Sequence, residues 1–258
     1  MSLPEALAIF AAGMAAGTIN VIVGSGTLVT FPTLLFFGYP PLVANMSNSV
    51  GLVAGGISGV HGYREELRGQ GRVLRRLVPA SFLGGIAGAL LLLVLPPAAF
   101  NEIVPVLIGL SVLLVIFAPA LNRRTAKAHA QLEEGAPQSR GRQWLMLAGM
   151  VVAGAYGGYF GAAQGVLLMG LMSVLMTESL QRLNGYKNVL STVVNAVAAV
   201  VFMIVAWHQI SWAAAGLIAV GALIGGWIGA RVGRRLPPVA LRTIIVVIGI
   251  VAIVKMLM

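Results

Sequence analysis

Residues 20–27 read Asn-Val-Ile-Val-Gly-Ser-Gly-Thr, and residues 161–165 read Gly-Ala-Ala-Gln-Gly. Both stretches interrupt apolar runs with residues that could hold an anion. Glycine lets a ligand approach the backbone closely. Around Gly24, Gly26 and Gly165 stand the side-chain hydrogen-bonding groups of Asn20, Ser25, Thr27 and Gln164. A second polar set follows in each half of the chain. Asn45 and Asn48 are three residues apart and Asn184 and Asn188 four apart, so each pair shares a helical face. Ser191 and Asn195 continue the second stripe, and Lys187 takes the slot of Asn48 at an offset of 139 residues. Uncharged amides solvate an anion without trapping it, and one lysine supplies attraction. Each Asn has a second reading, as a hydrogen-bonded cross-link between helices. Lys187 has one too, as a cation near a helix start that snorkels to the cytoplasmic interface.

Little else in the chain could do chemistry. There is no Cys, which excludes disulfides, thiolate metal sites and thiol nucleophiles. All seven acids are Glu, leaving little material for carboxylate metal sites or acid–base pairs. His61, His129 and His208 are scattered. No catalytic residue, metal ligand set or cofactor motif emerges, which argues against the main rival class, an integral-membrane enzyme. Glu178 beside Arg182 reads as a surface pair and His61 as an interfacial residue; they are the best titratable candidates for proton coupling.

The elements that position these residues follow from composition. Of 258 residues, 59% are hydrophobic and 9% charged, with a mean hydropathy of +0.95. A soluble domain carries about 25% charged residues, so this chain is built for lipid. The net charge of +10 does not indicate nucleic acid, because 14 of the 17 cations fall in three short segments. These are Arg64 to Arg76, Arg123 to Arg142 and Arg231 to Arg242, loops of the kind held on the cytoplasmic side of an inner membrane.

Apolar segments lie near 4–23, 27–37, 41–61, 73–95, 99–121, 143–160, 165–177, 183–207, 211–230 and 239–257. A full span needs about 20 residues, so 27–37 and 165–177 are too short to cross. The series also repeats. Residues 83–89, Leu-Gly-Gly-Ile-Ala-Gly-Ala, return as Ile-Gly-Gly-Trp-Ile-Gly-Ala at 224–230, and Leu-Pro-Pro at 95–97 returns at 236–238, both at an offset of 141. Residues 17–24 match 154–161 at offset 137. Basic residues fill 62–72 but not its counterpart 207–212, whereas 95–102 lacks cations and 231–242 has four. Equivalent loops thus face opposite sides.

These features define an all-α polytopic membrane protein of two inverted-topology repeats. Each repeat has a broken-helix hairpin plus three full spans, giving eight to ten membrane helical segments in all. Residues 1–121 form the first repeat, 122–142 a cytoplasmic linker and 143–258 the second. The N-terminus and the 38–41 turn lie outside. In such transporters discontinuous helices place the substrate site near the membrane middle. The tips at 24–27 and 161–165 would aim two helix N-termini, each with a partial positive charge, at one point. The rival reading of such glycines, close helix packing, is preferred for the two Gly-Gly-x-x-Gly-Ala motifs.

The stretches at 17–55, 156–172, 183–202 and 224–242 strongly resemble the sulfite exporter TauE/SafE family, also called the toluene sulfonate uptake permease family. The resemblance spans nearly the whole chain except the central loop. It implies bacterial or archaeal inner-membrane transport of sulfur-containing or related organic anions, such as sulfite, sulfoacetate or sulfonates. A related branch that handles thiosulfate is associated with cysteines, which this chain lacks. The expected function is therefore secondary transport of a small anion, most readily export, by alternating access. An anion channel and an uptake permease for other organic anions are the alternatives. The expected partners are the anion and the lipid bilayer, with no nucleic acid; a homodimer and coupling to protons both remain open.

Overall fold

A computed structural model describes residues 1–129, 140–232, 243, 245–251 and 253. Among them are ten α-helices, in the order α1 Leu3–Ile22, α2 Thr27–Phe36, α3 Pro41–Gly62, α4 Arg64–Leu67, α5 Gly71–Val94, α6 Pro97–His129, α7 Arg140–Tyr159, α8 Gln164–Leu175, α9 Leu180–Val205 and α10 Trp212–Val232. Residues 245–251 are helical as well, whereas much of the expected segment 239–257, with Arg234, Arg235, Arg242 and Lys255, lies outside the described residues. No strand occurs among the described residues. Five helices are long and apolar enough to cross a membrane, namely α1, α5, the Pro97–Phe117 part of α6, α9 and the Trp212–Arg231 part of α10.

Local signals account for the breaks. Ser2 and Glu5 form a reciprocal capping box that starts α1, with a proline in its first turn. Pro41 opens α3 and Pro97 opens α6, where a missing N–H costs nothing. Helix α6 runs on to His129, into the expected linker, because residues 122–129 contain neither Gly nor Pro to stop it.

The packing is inverted relative to a soluble domain. Val94, Ile204, Leu3 and Val106 are more than two-thirds exposed, while Ser25, Asn45, Asn48, Gln164, Lys187 and Asn188 are buried. Lipid is as apolar as leucine, so apolar surface gains little by turning inward and small residues drive helix association instead. Two seams show this. Along α1 and α10, Gly13 faces Ile218, Gly17 faces Ala222, and Gly225 faces Met14; an added Cβ at any of the three would strike backbone. Along α5 and α7, Gly84 faces Val151, Gly88 faces Ala155 and Gly158 faces Gly85 in the same manner. The Gly-Gly-x-x-Gly-Ala motifs are therefore packing surfaces, as expected.

The first helix of each half thus packs on the third long helix of the other half. Thr18 adds a hydrogen bond to the carbonyl of Gly225 at 2.9 Å. Helices α3 and α9 meet between the two seams and run antiparallel, Gly56 facing Thr192 and Gly59 facing Asn188.

Helix α1 has 20 residues, about 30 Å of helix, and Val21 is level with Gly59 in the last turn of α3. The first arm of the hairpin therefore crosses nearly the full thickness, and only α2, with ten residues, is a half-length arm. The glycine seam with α10 explains this, since it supports α1 along its length.

Candidate functional site

The two hairpin tips end their first arms identically. In α1, the N–H groups of Val23 and Gly24 both donate to the carbonyl of Ile19, at 2.7 and 3.1 Å. In α7, those of Phe160 and Gly161 both donate to Tyr156, at 2.9 and 3.0 Å. Gly24 and Gly161 have φ of +88° and +72°, the left-handed conformation that closes a helix with glycine. They are 137 residues apart, the offset at which the two sequences align. Thr27 and Gln164, the first residues of the short helices, share that offset.

The tips then touch. The N–H of Gly165 donates to the carbonyl of Gly24 at 3.0 Å, and a Cβ on either glycine would collide with the other's Cα. Phe31 of α2 lies edge-on to Phe160, with ring centroids 5.2 Å apart, and tightens the junction.

Four buried side-chain groups on the tip residues and on α3 have no hydrogen-bond partner among the described residues: Ser25 Oγ, Gln164 Nε2, Asn45 Oδ1 and Tyr159 OH. Three of them can donate. The backbone N–H groups of Ser25, Gly26 and Thr27, at the start of α2, also have no partner among the described residues. Unsatisfied buried donors are costly and normally rare. These donors lie on residues at and beside the N-terminus of α2 and the tip that precedes α8, and helix N-termini favour acceptor-rich ligands.

The polar stripes of α3 and α9 make hydrogen bonds between helices, the second reading of each Asn in the sequence. Asn45 donates to the carbonyl of Tyr159 at 2.9 Å. Asn48 donates to Thr27 Oγ1 at 3.1 Å and accepts from Thr30. Lys187 donates to the carbonyls of Val21 at 2.7 Å and Asn20 at 3.2 Å, and Asn188 reaches Val21 at 3.4 Å. Asn20 thus enters through its carbonyl. The last carbonyls of α1 and α7 lack intrahelical partners, and the third turn of α9 and the second turn of α3 supply them. Each half caps the broken helix of the other.

Lys187 is fully buried, so it does not reach a water-facing interface. Its charge sits at the negative end of α1, where a cation is favoured, and no carboxylate pairs with it among the described residues. Asn184 stays half-buried with Oδ1 unpartnered. The structure thus brings Gly24, Ser25, Gly26, Thr27, Gln164 and Gly165 together at one junction. It places Asn45, Asn48, Lys187 and Asn188 as its supports. Tyr159 was missed in sequence; its place immediately before Phe160-Gly161 in the repeated motif was the available signal.

No group of three or more His, Cys, Asp or Glu that could hold a metal occurs among the described residues. Glu178 is bonded to Arg182 at 2.5 Å, and His61 lies 3.2 Å from Arg64, at an exposed helix end.

Apolar spans around a broken-helix junction with an inward polar lining define a multi-pass membrane transporter. The chain belongs to the sulfite exporter TauE/SafE family, whose profile matches residues 9–256. It is similar to a protein of Haemophilus influenzae named "probable membrane transporter protein", with 25% identity over 96% of this chain and 92% of that one. The Escherichia coli K12 protein named "probable membrane transporter protein YfcA" is likewise 25% identical, over 96% of this chain and 88% of its own. A Sinorhizobium protein named "probable membrane transporter protein ORF9" is 24% identical over 96% and 91%. No solved structure shows significant similarity.

Proposed function

We propose that the chain is a secondary transporter of a small sulfur-containing or organic anion of the sulfite, sulfoacetate or sulfonate type, working as an exporter across the inner membrane. The anion binds where the two hairpin tips meet. The observation that carries this reading is the set of unpartnered donors, Ser25 Oγ, Gln164 Nε2, Tyr159 OH and the N–H groups of 25–27, on residues of the two tips that the Gly24–Gly165 bond joins. An oxyanion offers acceptors in several directions and would satisfy them together.

Alternating access has a physical basis here. Helices α3 and α9 run antiparallel, and each caps the other half's broken helix, which supports the inverted repeat. Rocking one half against the other would open the junction to each side in turn. The mostly neutral lining suits a cargo that must leave again. The cation on hand, Lys187, is tied to α1 and raises the local potential without ion-pairing to the cargo.

Purified protein in liposomes tests the reading. Loaded sulfite or sulfonate should drive counterflow of labelled substrate, with saturation. Flux that neither saturates nor shows counterflow would make the protein a channel. Chemical conversion of the substrate would make it an enzyme.

A further inference from the structure

A second site lies at the basic ends of α5 and α7. A cavity of about 340 Å³ opens there, within the range of small-ligand pockets. Leu77, Met146, Leu147 and Met176 make its walls apolar, and Arg72 and Arg76 stand over them. The arginines are four residues apart, on one face of α5. Neither guanidinium makes a hydrogen bond or ion pair among the described residues. The acid that shares the lining, Glu178, is bonded to Arg182 at 2.5 Å, which offsets its charge.

Apolar walls beneath two unpaired guanidiniums select a molecule with an anionic head and an apolar tail. The surroundings choose its source. Trp144, 72% exposed, and Leu145, 59% exposed, follow the lining residue Gln143 on α7. Exposed Val174 and Leu180 flank the segment that carries Met176 and Glu178. Exposed tryptophan beside exposed aliphatics on the outside of a membrane bundle marks the bilayer interface. Headgroups and the first acyl carbons lie at that depth, and basic pockets between helices on that side hold lipid head groups.

The geometry points to a binding site for an anionic phospholipid, its phosphodiester held by Arg72 and Arg76 and an acyl chain laid along Met146, Leu147 and Met176. The site is separate from the hairpin junction, so it stands whether or not the transport reading does. A lipid there would hold α5 and α7 together with the segment that links α8 to α9.

The test is binding of phosphatidylglycerol, phosphatidylcholine and inorganic phosphate to the full-length protein in neutral detergent, followed by native mass spectrometry and thermal shift. Phosphatidylglycerol should bind at least about tenfold more tightly than phosphatidylcholine. Each arginine near a membrane surface is worth roughly a fivefold change in affinity for an anionic lipid. Accordingly R76Q should lower phosphatidylglycerol affinity about fivefold and R72Q/R76Q about thirtyfold, while R64Q/R68Q leaves it unchanged. The single variant keeps the test readable if the double variant fails to fold. Equal loss in R64Q/R68Q would reveal a diffuse basic field and overturn the site. So would absence of any preference for phosphatidylglycerol, or inorganic phosphate binding through the same arginines while the lipid does not.

Discussion

The N–H of Gly165 donates to the carbonyl of Gly24 at 3.0 Å, joining the tips of two hairpins that lie about 140 residues apart in the chain. The bond leaves no room for a side chain on either residue. Gly38 offers a natural comparison, because its φ of +86° matches the +88° of Gly24 while nothing lies within 4 Å of its Cβ position. Both Gly→Ala changes incur the left-handed penalty of about 1 kcal/mol. Gly24→Ala should in addition separate the tips and abolish transport, while Gly38→Ala should transport normally. Liposome uptake and thermal shift on the two variants check this; equal transport would remove the junction from the mechanism.

Ser25 and Gln164 make a sharper test of the site, because the orphaned atoms Ser25 Oγ and Gln164 Nε2 have no protein partner to lose. Ser25→Ala and Gln164→Met should leave thermal stability within about 1 kcal/mol of the parent or raise it, since an unsatisfied buried group is removed. Each should still weaken apparent anion affinity by about tenfold, the value of one hydrogen bond to a charged ligand. Loss of stability with unchanged affinity would make the two residues structural.

Lys187 separates two uses of one charge. It holds the carbonyls of Asn20 and Val21, yet a buried cation inside a membrane bundle acts on any nearby anion. Lys187→Gln removes the charge and shortens the reach. Apparent affinity should fall about tenfold, equivalent to about 1.4 kcal/mol, with dianions losing more than monoanions. Equal affinity for both, accompanied by a lower melting temperature, would show that the charge serves only to cap α1.

The loops at the two ends of the bundle give a topological prediction. The N–H of Ser211 donates to Ser47 Oγ, near the start of α3, at 2.9 Å, and Gly62 at the far end of α3 lies against Ala230. Residues 207–212 and 62–72 therefore occupy opposite ends of the molecule. With basic segments inside, a tag at 207–212 should react with an impermeant reagent added to intact cells. A tag in 62–72 should react only after the membrane is opened. Labelling of both tags from one side would refute the arrangement.

Much of this was legible in one dimension because the local rules are strong. Low charge and long apolar runs require lipid, and residues 27–37 and 165–177 are too few to cross it. Gly24 and Gly161 announced themselves by a repeat offset of 137 that the backbone keeps in its φ angles. The glycine motifs at 83–89 and 224–230 required close packing, and the seams supply it.

The roles of the polar residues were a different matter. Periodicity placed Asn45 with Asn48, and Asn184 with Asn188, on shared faces, but a shared face does not name its partner. Asn45 meets Tyr159 across 114 residues, and Lys187 meets Val21 across 166. Those partners are orphan carbonyls at the ends of broken helices, and hydrocarbon leaves such groups no alternative to a neighbouring helix. The sequence by itself determined that the chain lives in a membrane, where it breaks its helices and which residues are polar enough to matter. Only the tertiary structure decided which of them cap a helix end and which lack a protein partner, because hydrogen-bond partners so far apart in the chain are set by how the two halves pack.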